Sequence, residues 1–480
     1  MVDPFLGERE ELGQLAGNQT TGKEDVVRPS AESSSLVANT GRESRLFYGW
    51  YIALAAVTIY FMTNGATISV PPVFYPKFIE EFQATEAAVS LCGAITMLLA
   101  GLLAPFGGAL IDRFGVRRLM RSGILLLAAS VTAYPLVTAV WQLYILHALF
   151  AVGLILCGLL INVVLLSNWF VVRRGAVIGL LVAGSSLAGA TLPNVVAPII
   201  AHPDFGWRWG YGVIAALVWL VAVPLTFFVI KEHPREVGQY PDGKAPATPN
   251  EMPNPGVSHV LPGVPFRQAV RTGVLWFLAL GSAFIWFAIL AVQNQLVIYL
   301  KQDLGLSQEL SAFYLSLIFM FSIAGKFGFG YLSDRMSKRT VMIFTTGLLF
   351  IGSLLLLDFR PGAGSLPLSL VSSQRQLGAF AVLFGLGYGG TFSMIQLMVA
   401  ECFGPRELGR ILGIVTLIDT LGAFAGITIT GYLRTTTGSY FTPFLMVVLV
   451  SLLGLINVWF VRPLPYAQRV VVADAGGSEP

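Results

Sequence analysis

The chain has 480 residues, of which 55% are hydrophobic and only 12% are charged, and its formal net charge is +4. Soluble domains carry about 25% charged residues, so this composition excludes an ordinary soluble protein and predicts an integral membrane protein. A net charge this small gives no reason to expect nucleic-acid binding. The cysteines Cys92, Cys157 and Cys402 are scattered and indicate neither a disulfide framework nor a CxxC metal site.

Residues 1–46 are polar and have no sustained apolar period, which predicts a disordered tail. From residue 50 onwards, apolar runs alternate with short polar breaks. A helix needs about 20 residues to cross about 30 Å of hydrocarbon. Twelve runs meet that length: 50–70, 88–110, 119–140, 142–166, 175–199, 208–230, 274–299, 311–332, 340–358, 378–401, 409–433 and 440–461.

The longest polar connection between predicted helices, residues 231–273, is rich in Pro and Gly and divides the twelve runs into six and six. We therefore predict an N-terminal six-helix bundle at 47–230, a linker at 231–273, a C-terminal six-helix bundle at 274–462 and a short tail at 463–480.

Lys and Arg are concentrated on one side of the predicted bundle, which sets the orientation because cytoplasmic loops carry the excess of cations. The opposite side carries only Lys77, Arg208, Lys301, Arg360, Arg375 and Arg434. We therefore expect both tails and the linker to be cytoplasmic, in a multi-pass protein of the plasma or bacterial inner membrane.

The two halves contain an internal repeat. The sequence Gly108-Ala-Leu-Ile-Asp-Arg-Phe-Gly-Val-Arg-Arg118 follows the second predicted helix, and Gly330-Tyr-Leu-Ser-Asp-Arg-Met-Ser-Lys-Arg339 follows the eighth. Asp112 and Arg113 thus recur as Asp334 and Arg335. Internal repeats are typical of transporter folds.

The first copy of this repeat, in a chain of six plus six helices, resembles the signature of the major facilitator superfamily. The resemblance covers about residues 46–465. It implies an all-α membrane protein with the major facilitator fold, in which two six-helix bundles rock about a central cavity.

Motifs of the second half resemble those of microbial monocarboxylate porters and the related oxalate–formate antiporters. They are the stretches 304–307, 322–326, 385–390, 401–409 and 437–440. In such proteins a cation of the eighth helix, four residues before the glycine that matches Gly330, pairs with the substrate carboxylate. Lys326 has that position. The antiporters carry a second cation in the eleventh helix, where this chain has Asp419, which resembles an acid of animal monocarboxylate carriers.

Lys326 also stands out on physical grounds, because an amine near the middle of a bilayer costs about 2.5–3.5 kcal/mol. From the helical rise, Lys326 lies about 9–10 Å and Asp419 about 15 Å from the cytoplasmic helix ends. We predict that the two pair in the empty state, and that an anionic substrate displaces Asp419, which then takes a proton. The alternatives are that Lys326 extends to the membrane surface and that Asp419 is only its structural partner.

Further polar residues are candidates for the substrate cavity or for proton transfer. Asn64, Gln295 and Tyr388 are the predicted additional substrate-binding residues, although intramembrane amides and hydroxyls as often tie helices together. His147 could relay protons, but a packing role is the favoured interpretation.

Charged residues at the cytoplasmic helix ends are candidates for a gate that latches the two bundles and releases as they rock apart. The alternative is that they are topological signals on a solvated face. The candidates are Asp112, Arg113, Arg117, Asp334, Arg335, Glu401 and Arg406.

The predicted function is secondary active transport of small organic anions, as proton-coupled transport of a monocarboxylate such as lactate or pyruvate. Oxalate–formate-type exchange and a non-transporting membrane sensor are the alternatives. The four histidines are dispersed and no nucleotide-binding Gly-rich loop is present, so we predict no enzyme activity, no metal and no cofactor. The expected partners are a small carboxylate, protons and membrane lipid, but no nucleic acid, and the expected state is a monomer.

Overall fold

A computed structural model describes residues 47–243, 263–357, 373–404 and 406–461. The predicted tails at 1–46 and 463–480, the middle of the predicted linker and the side chain of Asp112 lie outside the described residues. Within the described ranges the chain is helical and contains no β-strand.

Twelve long helices occupy the described ranges, and eleven of them are long and apolar enough to cross a membrane. The remaining helix, Lys338–Leu354, is the shortest, with 17 residues. The twelve helices are α1 (Gly49–Phe82), α2 (Glu86–Phe114), α3 (Val116–Leu136), α4 (Val140–Trp169), α5 (Arg174–Ala201), α6 (Gly206–Val229), α7 (Gly273–Asp303), α8 (Gln308–Ser333), α9 (Lys338–Leu354), α10 (Ser373–Phe403), α11 (Leu408–Thr437) and α12 (Phe441–Phe460). The predicted all-α architecture of six plus six helices is confirmed.

Helix α1 is longer than the predicted span of 50–70. A π-helical turn at Gly65–Ser69 joins its two parts, and the second part begins with Pro71 and Pro72. Proline is tolerated in the first turn of a helix because the amide it lacks has no intrahelical partner there. The helix therefore continues to Phe82, beyond residue 70, where the predicted span ends.

Helix α4 is broken at Gly158, whose backbone is extended with φ −85° and ψ −151°. The Asn162 side-chain amide donates to the carbonyls of Cys157 and Gly158 at 2.9 and 2.8 Å. These bonds satisfy backbone oxygens that a continuous helix would have bonded itself, as a break inside a membrane requires.

The two halves meet along two helix pairs, α2 with α11 and α5 with α8, while α8 packs closely on α10 within the second half. Glycines set the close α8–α10 crossing. A Cβ atom on Gly325 would lie 2.5 Å from the backbone oxygen of Leu386, and one on Gly389 would lie 2.0 Å from that of Ser322. Small residues of this kind let membrane helices approach closely.

The start of the linker, residues 231–243, packs on the first half. Arg117 pairs with Glu236 at 3.0 Å, and the Val116 amide donates to Glu232 at 3.2 Å. The Asp242 carboxylate accepts from the amides of Val171 and Val172, each at 2.8 Å. The boundaries predicted for the halves and the linker remain a prediction.

The α8–α10 contact generates a stability test on one helix. Gly325→Ala places a methyl group against backbone, so we expect a loss of about 1–3 kcal/mol, as for other overpacked cores. Gly328→Ala is the matched control, because nothing lies within 4 Å of a Cβ at that position. Thermal unfolding of the purified protein should show a lower midpoint for Gly325→Ala alone. Equal midpoints for the two variants would contradict the described crossing.

Candidate functional site

The helix bundle has two ends, which we call the repeat end and the opposite end. The repeat end is the end with the α2–α3 and α8–α9 connections, which hold the two Asp-Arg repeats. The opposite end holds the α1–α2, α7–α8 and α11–α12 connections. Hydrogen bonds join the two halves at the opposite end and at mid-depth. Examples are the bonds from Gln308 to the carbonyl of Val73 (2.6 Å), from Gln295 to Ser90 (2.8 Å) and from the Ala87 amide to Thr435 (3.0 Å).

An ion cluster reinforces this contact at the opposite end. The Arg434 guanidinium lies 3.5 Å from the Glu86 carboxylate of the first half and 3.2 Å from that of Asp303 in the second half. Its carbon Cζ lies 4.7 Å from the centre of the Tyr440 ring. The sequence shows Arg434 only as one of the few cations on its side of the bundle. It does not predict the cluster, because the ends of three helices must come together to form it.

At the repeat end, no hydrogen bond or ion pair joins the helices of one half to those of the other among the described residues. Arg113, Asp334, Arg335 and Arg406 are exposed. Arg117 is engaged by Glu236 of the linker, and Glu401 pairs with Lys338 of its own half at 2.8 Å. Among the described residues, no ion pair of the predicted latch joins the two halves in this conformation. The role of the latch in gating remains a prediction.

The side chains of α10 that face the bundle centre become more exposed towards the repeat end. Tyr388 is buried, Phe392 one turn later is half-buried, and Gln396 one turn further is exposed. The space between the halves therefore opens at the repeat end and is closed at the opposite end.

Lys326 lies in α8 at the deep part of this space and is 7% exposed. Its ammonium donates to Ser186 Oγ at 2.6 Å, to the Val182 carbonyl at 3.3 Å and to Ser185 Oγ at 3.4 Å, all on α5. Ser322 also donates to Ser186 Oγ at 2.8 Å, so that one hydroxyl oxygen accepts two bonds. The alternative in which Lys326 extends to the membrane surface is wrong for this conformation, because the ammonium points to buried hydroxyls of the other half.

Aromatic rings line another side of the same ammonium. The nitrogen lies 4.6 Å from the ring centre of Phe392 and 5.7 Å from that of Tyr388, distances at which ring faces attract cations. Trp286 of α7 packs edge-to-face on both rings, at 5.9 and 6.3 Å between centres. Tyr388 thus lies beside Lys326, together with Phe392 and Trp286, and its contact with substrate remains a prediction.

The predicted pair of Lys326 with Asp419 is not formed in this conformation, since Lys326 is in none of the ion pairs between described residues. The helices explain the difference. Lys326 points from α8 to α5, whereas α11, which carries Asp419, packs on α2 and α7. Asp419 has Ser282 of α7 as its polar neighbour, and its Oδ1 atom is buried without a hydrogen-bond partner in the described part of the chain.

The other predicted polar residues fall into different settings. Gln295 is buried, donates to Ser90 and accepts from Tyr440 at 3.0 Å, so in this conformation it ties the helices at the closed end. Asn64 is half-buried, and its side chain makes no hydrogen bond within the described residues. Contact of either amide with substrate remains a prediction.

His147 is fully buried in the first half. Its two ring nitrogens lie 2.7 Å from Thr96 Oγ1 and 2.6 Å from the Tyr134 hydroxyl. Both nitrogens are therefore satisfied inside the half, which agrees with the packing interpretation favoured by the sequence.

Sequence reasoning missed Ser185, Ser186, Phe392 and Trp286. A signal existed for three of them. The Ser185-Ser186 pair interrupts an apolar helix, and Phe392 follows Tyr388 by one helical turn on the same face. Which of several such polar pairs and aromatic turns faces Lys326 depends on helix rotation and tertiary packing, which the spacing does not determine.

The sequence model of the Major Facilitator Superfamily matches residues 52–369 and 297–478 of this chain. Together with the fold, this match shows that the chain belongs to the Major Facilitator Superfamily, a superfamily of membrane transporters. The predicted family and fold are thereby confirmed.

Curated relatives are similar over most of their length. Monocarboxylate transporter 13 of Bos taurus is 24% identical over 403 residues, which cover 83% of this chain and 86% of the relative. The cis,cis-muconate transport protein of Acinetobacter baylyi is 23% identical over 391 residues, covering 81% and 88%. The MFS transporter asaE of Aspergillus flavus is 23% identical over 411 residues, covering 84% of each.

A solved structure has the same fold. It is the crystal structure of a bacterial homolog to the human lysosomal transporter Spinster, in an inward-facing and occupied conformation. It aligns with a TM-score of 0.66 and 15% identity, over 86% of this chain and 96% of that chain.

The ion cluster at the opposite end generates a test of closure. Glu86→Gln removes the acid of the first half from Arg434, so the opposite end should open more often. A loss of about 1–2 kcal/mol from the free energy that holds this end closed would change the ratio of open to closed molecules about 5–30-fold. Spin labels on His202→Cys and Ser439→Cys, exposed in opposite halves, report the change because the native cysteines are buried.

Glu80→Gln is the matched control for this measurement, since Glu80 pairs with Lys77 of its own helix at 2.9 Å. Longer distances between the labels are expected for Glu86→Gln but not for Glu80→Gln. Identical distance distributions in the native protein and in Glu86→Gln would show that the cluster does not hold this end closed.

Proposed function

We propose that this transporter carries small organic anions by secondary active transport, as a proton-coupled monocarboxylate transporter that works by alternating access. The observation that carries the proposal is the Lys326 ammonium, buried at mid-depth and without an acid partner among the described residues. The names of the relatives, a monocarboxylate transporter and a muconate transport protein, support the same substrate class.

We infer that the repeat end faces the cytoplasm, because cations of the sequence are concentrated there. The protein would then lie in the plasma or inner membrane with both tails inside. In that orientation the conformation described above is open to the cytoplasm. The two Asp-Arg repeats, of which Arg113, Asp334 and Arg335 are exposed, would approach one another when the inner end closes, with Glu401 and Arg406 beside them.

The ammonium of Lys326 is a suitable anchor for one carboxylate. In a low-dielectric site an unpaired charge is costly, and a bound anion offsets that cost more strongly than the neutral oxygens of α5. Lysine offers three donors on a compact charge, so it holds a carboxylate without a bidentate fork. The carboxylate would replace Ser185 and the Val182 carbonyl, whose bonds at 3.4 and 3.3 Å are the longer ones.

The anchor also lies where it can couple binding to movement. Lys326 belongs to the second half, but its three oxygen partners belong to α5 of the first half. A substrate that takes over part of this bonding changes the forces across the α5–α8 contact. Only a difference in binding between conformations shifts their populations, and a site shared by both halves provides one.

Asp419 is the proposed proton carrier. A carboxyl whose Oδ1 is buried without a hydrogen-bond partner in the described residues is costly when ionised, and taking a proton removes that cost. With a carboxylate on Lys326 and a proton on Asp419, the loaded site would be neutral. Since the two side chains are not paired here, the proton would neutralise Asp419 directly, without a prior exchange of ion-pair partners.

The binding role of Lys326 is tested with the protein in vesicles. Removing the charge in Lys326→Gln should weaken binding of a monocarboxylate about 10–100-fold, because charged hydrogen bonds contribute about 1.5–3 kcal/mol. Lys77→Gln, at the opposite end, is the control and should bind normally. Equal affinities for Lys326→Gln and the native protein in a binding assay would refute the role.

The proton role of Asp419 is tested by separating exchange from accumulation. Asp419→Asn should still exchange labelled substrate across the vesicle membrane but should lose accumulation driven by a proton gradient. Asp204→Asn, on an exposed loop, should retain both. Gradient-driven accumulation that survives in Asp419→Asn would exclude this residue as the carrier. A native protein that exchanges but never responds to the gradient would favour the exchange alternative.

A further inference from the structure

The surroundings of Lys326 differ on its two sides, and the difference bears on the substrate. On the α5 side the ammonium meets three oxygens; on another side it meets the rings of Phe392 and Tyr388. The oxygen side belongs to the contact between the halves. A carboxylate that reaches the ammonium from the open end must therefore pass beside the rings.

The direction of approach places the rest of the substrate on aromatic surface. Phe392 is half-buried, lies one turn nearer the open end than Tyr388, and packs edge-to-face with the half-buried Trp286 at 5.9 Å. A group attached to a carboxylate on Lys326 would point towards the open end and lie against these two rings. Lactate and pyruvate have too little apolar surface to cover them.

The shape of this surface favours a flat ring. Aromatic rings prefer edge-to-face or offset contact, and such pairs are stabilised beyond the area that they bury. The ring of Trp286 already packs on those of Phe392 and Tyr388, at interplanar angles of 74° and 75°. A substrate ring would extend this arrangement, whereas a saturated ring of similar size has the same apolar area but no quadrupole to match.

Charge limits the substrate to one carboxylate. Lys326 is the buried cation among the described residues of this site. One turn before Trp286 in α7, towards the open end, lie Ser282 and its neighbour Asp419. Since Asp419 carries the proton in the loaded state, a second carboxylate on the far end of the substrate would find no second cation, and an unpaired charge in a site of low dielectric is costly.

We propose that this transporter selects aryl monocarboxylates, with the carboxylate on Lys326 and the aryl ring against Phe392 and Trp286. The inference rests on the proposed function, because it needs the carboxylate anchor, and it narrows the substrate from small carboxylates in general to one class. It makes Phe392 and Trp286 specificity-determining residues.

The experiment measures competition by four probes against one labelled carboxylate, with purified native protein in vesicles. Benzoate carries the ring, cyclohexanecarboxylate matches its size without aromaticity, lactate lacks a ring, and terephthalate adds a second carboxylate. We expect benzoate to bind about tenfold more tightly than lactate, and more tightly than cyclohexanecarboxylate and terephthalate. This rank order tests the proposal without any variant.

Variants then connect the preference to the rings. Phe392→Leu and, separately, Trp286→Leu should weaken benzoate binding severalfold more than lactate binding, so that the benzoate-to-lactate affinity ratio falls. Phe327→Leu is the matched control, because Phe327 directly follows Lys326 in α8 but is exposed. A ratio that stays constant in both ring variants would overturn the assignment of the rings.

The two proposals fail in different ways. Equal affinity for benzoate and lactate, with both lost in Lys326→Gln, would overturn the aryl preference and leave the carboxylate anchor standing. Absence of binding by every carboxylate, or binding unaffected by Lys326→Gln, would overturn the proposed function and this inference with it.

Discussion

The ammonium of Lys326 must be buried in an apolar bundle, and much of the central site is arranged around that requirement. Three oxygens of α5 and the faces of two aromatic rings solvate it. Because the lysine belongs to one half and the oxygens to the other, the charge is satisfied only where the halves touch. One buried charge thus combines the proposed carboxylate anchor with the α5–α8 contact between the halves.

In this conformation, the two ends of the molecule differ in the bonds that join the halves. At the opposite end, Arg434 joins acids of both halves, and amide side chains add bonds between helices. At the repeat end, Arg117 is held by the linker and Glu401 by its own half. Arg113, Asp334 and Arg335 of the two repeats are exposed, so their charges are available for the gate that we propose for the alternate conformation.

The sequence was sufficient for the fold and for the central residue. Length of the apolar runs, the polar linker and the repeated Asp-Arg pair predicted six plus six helices, because membrane thickness leaves few alternatives. The cost of an amine in the bilayer singled out Lys326. Its partners were predicted wrongly for this conformation: equal depth suggested Asp419, but depth is one coordinate, and helix packing decides which side chains face each other.

Other parts of the site depended on information that spacing does not contain. Gln295 and Tyr388 both looked like cavity residues, yet one ties the closed end and the other lies beside the ammonium. Ser186 and Trp286 were not predicted, because a serine or a tryptophan in an apolar helix has many ordinary roles. Rotation of each helix about its axis separates these cases, and only the packed structure supplies it.

The central claim is that Lys326 holds the substrate carboxylate, and a ligand with a heavy atom tests it most directly. A crystal structure of the purified protein with 4-bromobenzoate would locate the bromine by anomalous scattering and the carboxylate by its density. We predict the carboxylate within hydrogen-bond distance of Lys326 Nζ, with the bromine towards the open end. A carboxylate bound at another cation, with Lys326 still bonded only to Ser185, Ser186 and Val182, would contradict it.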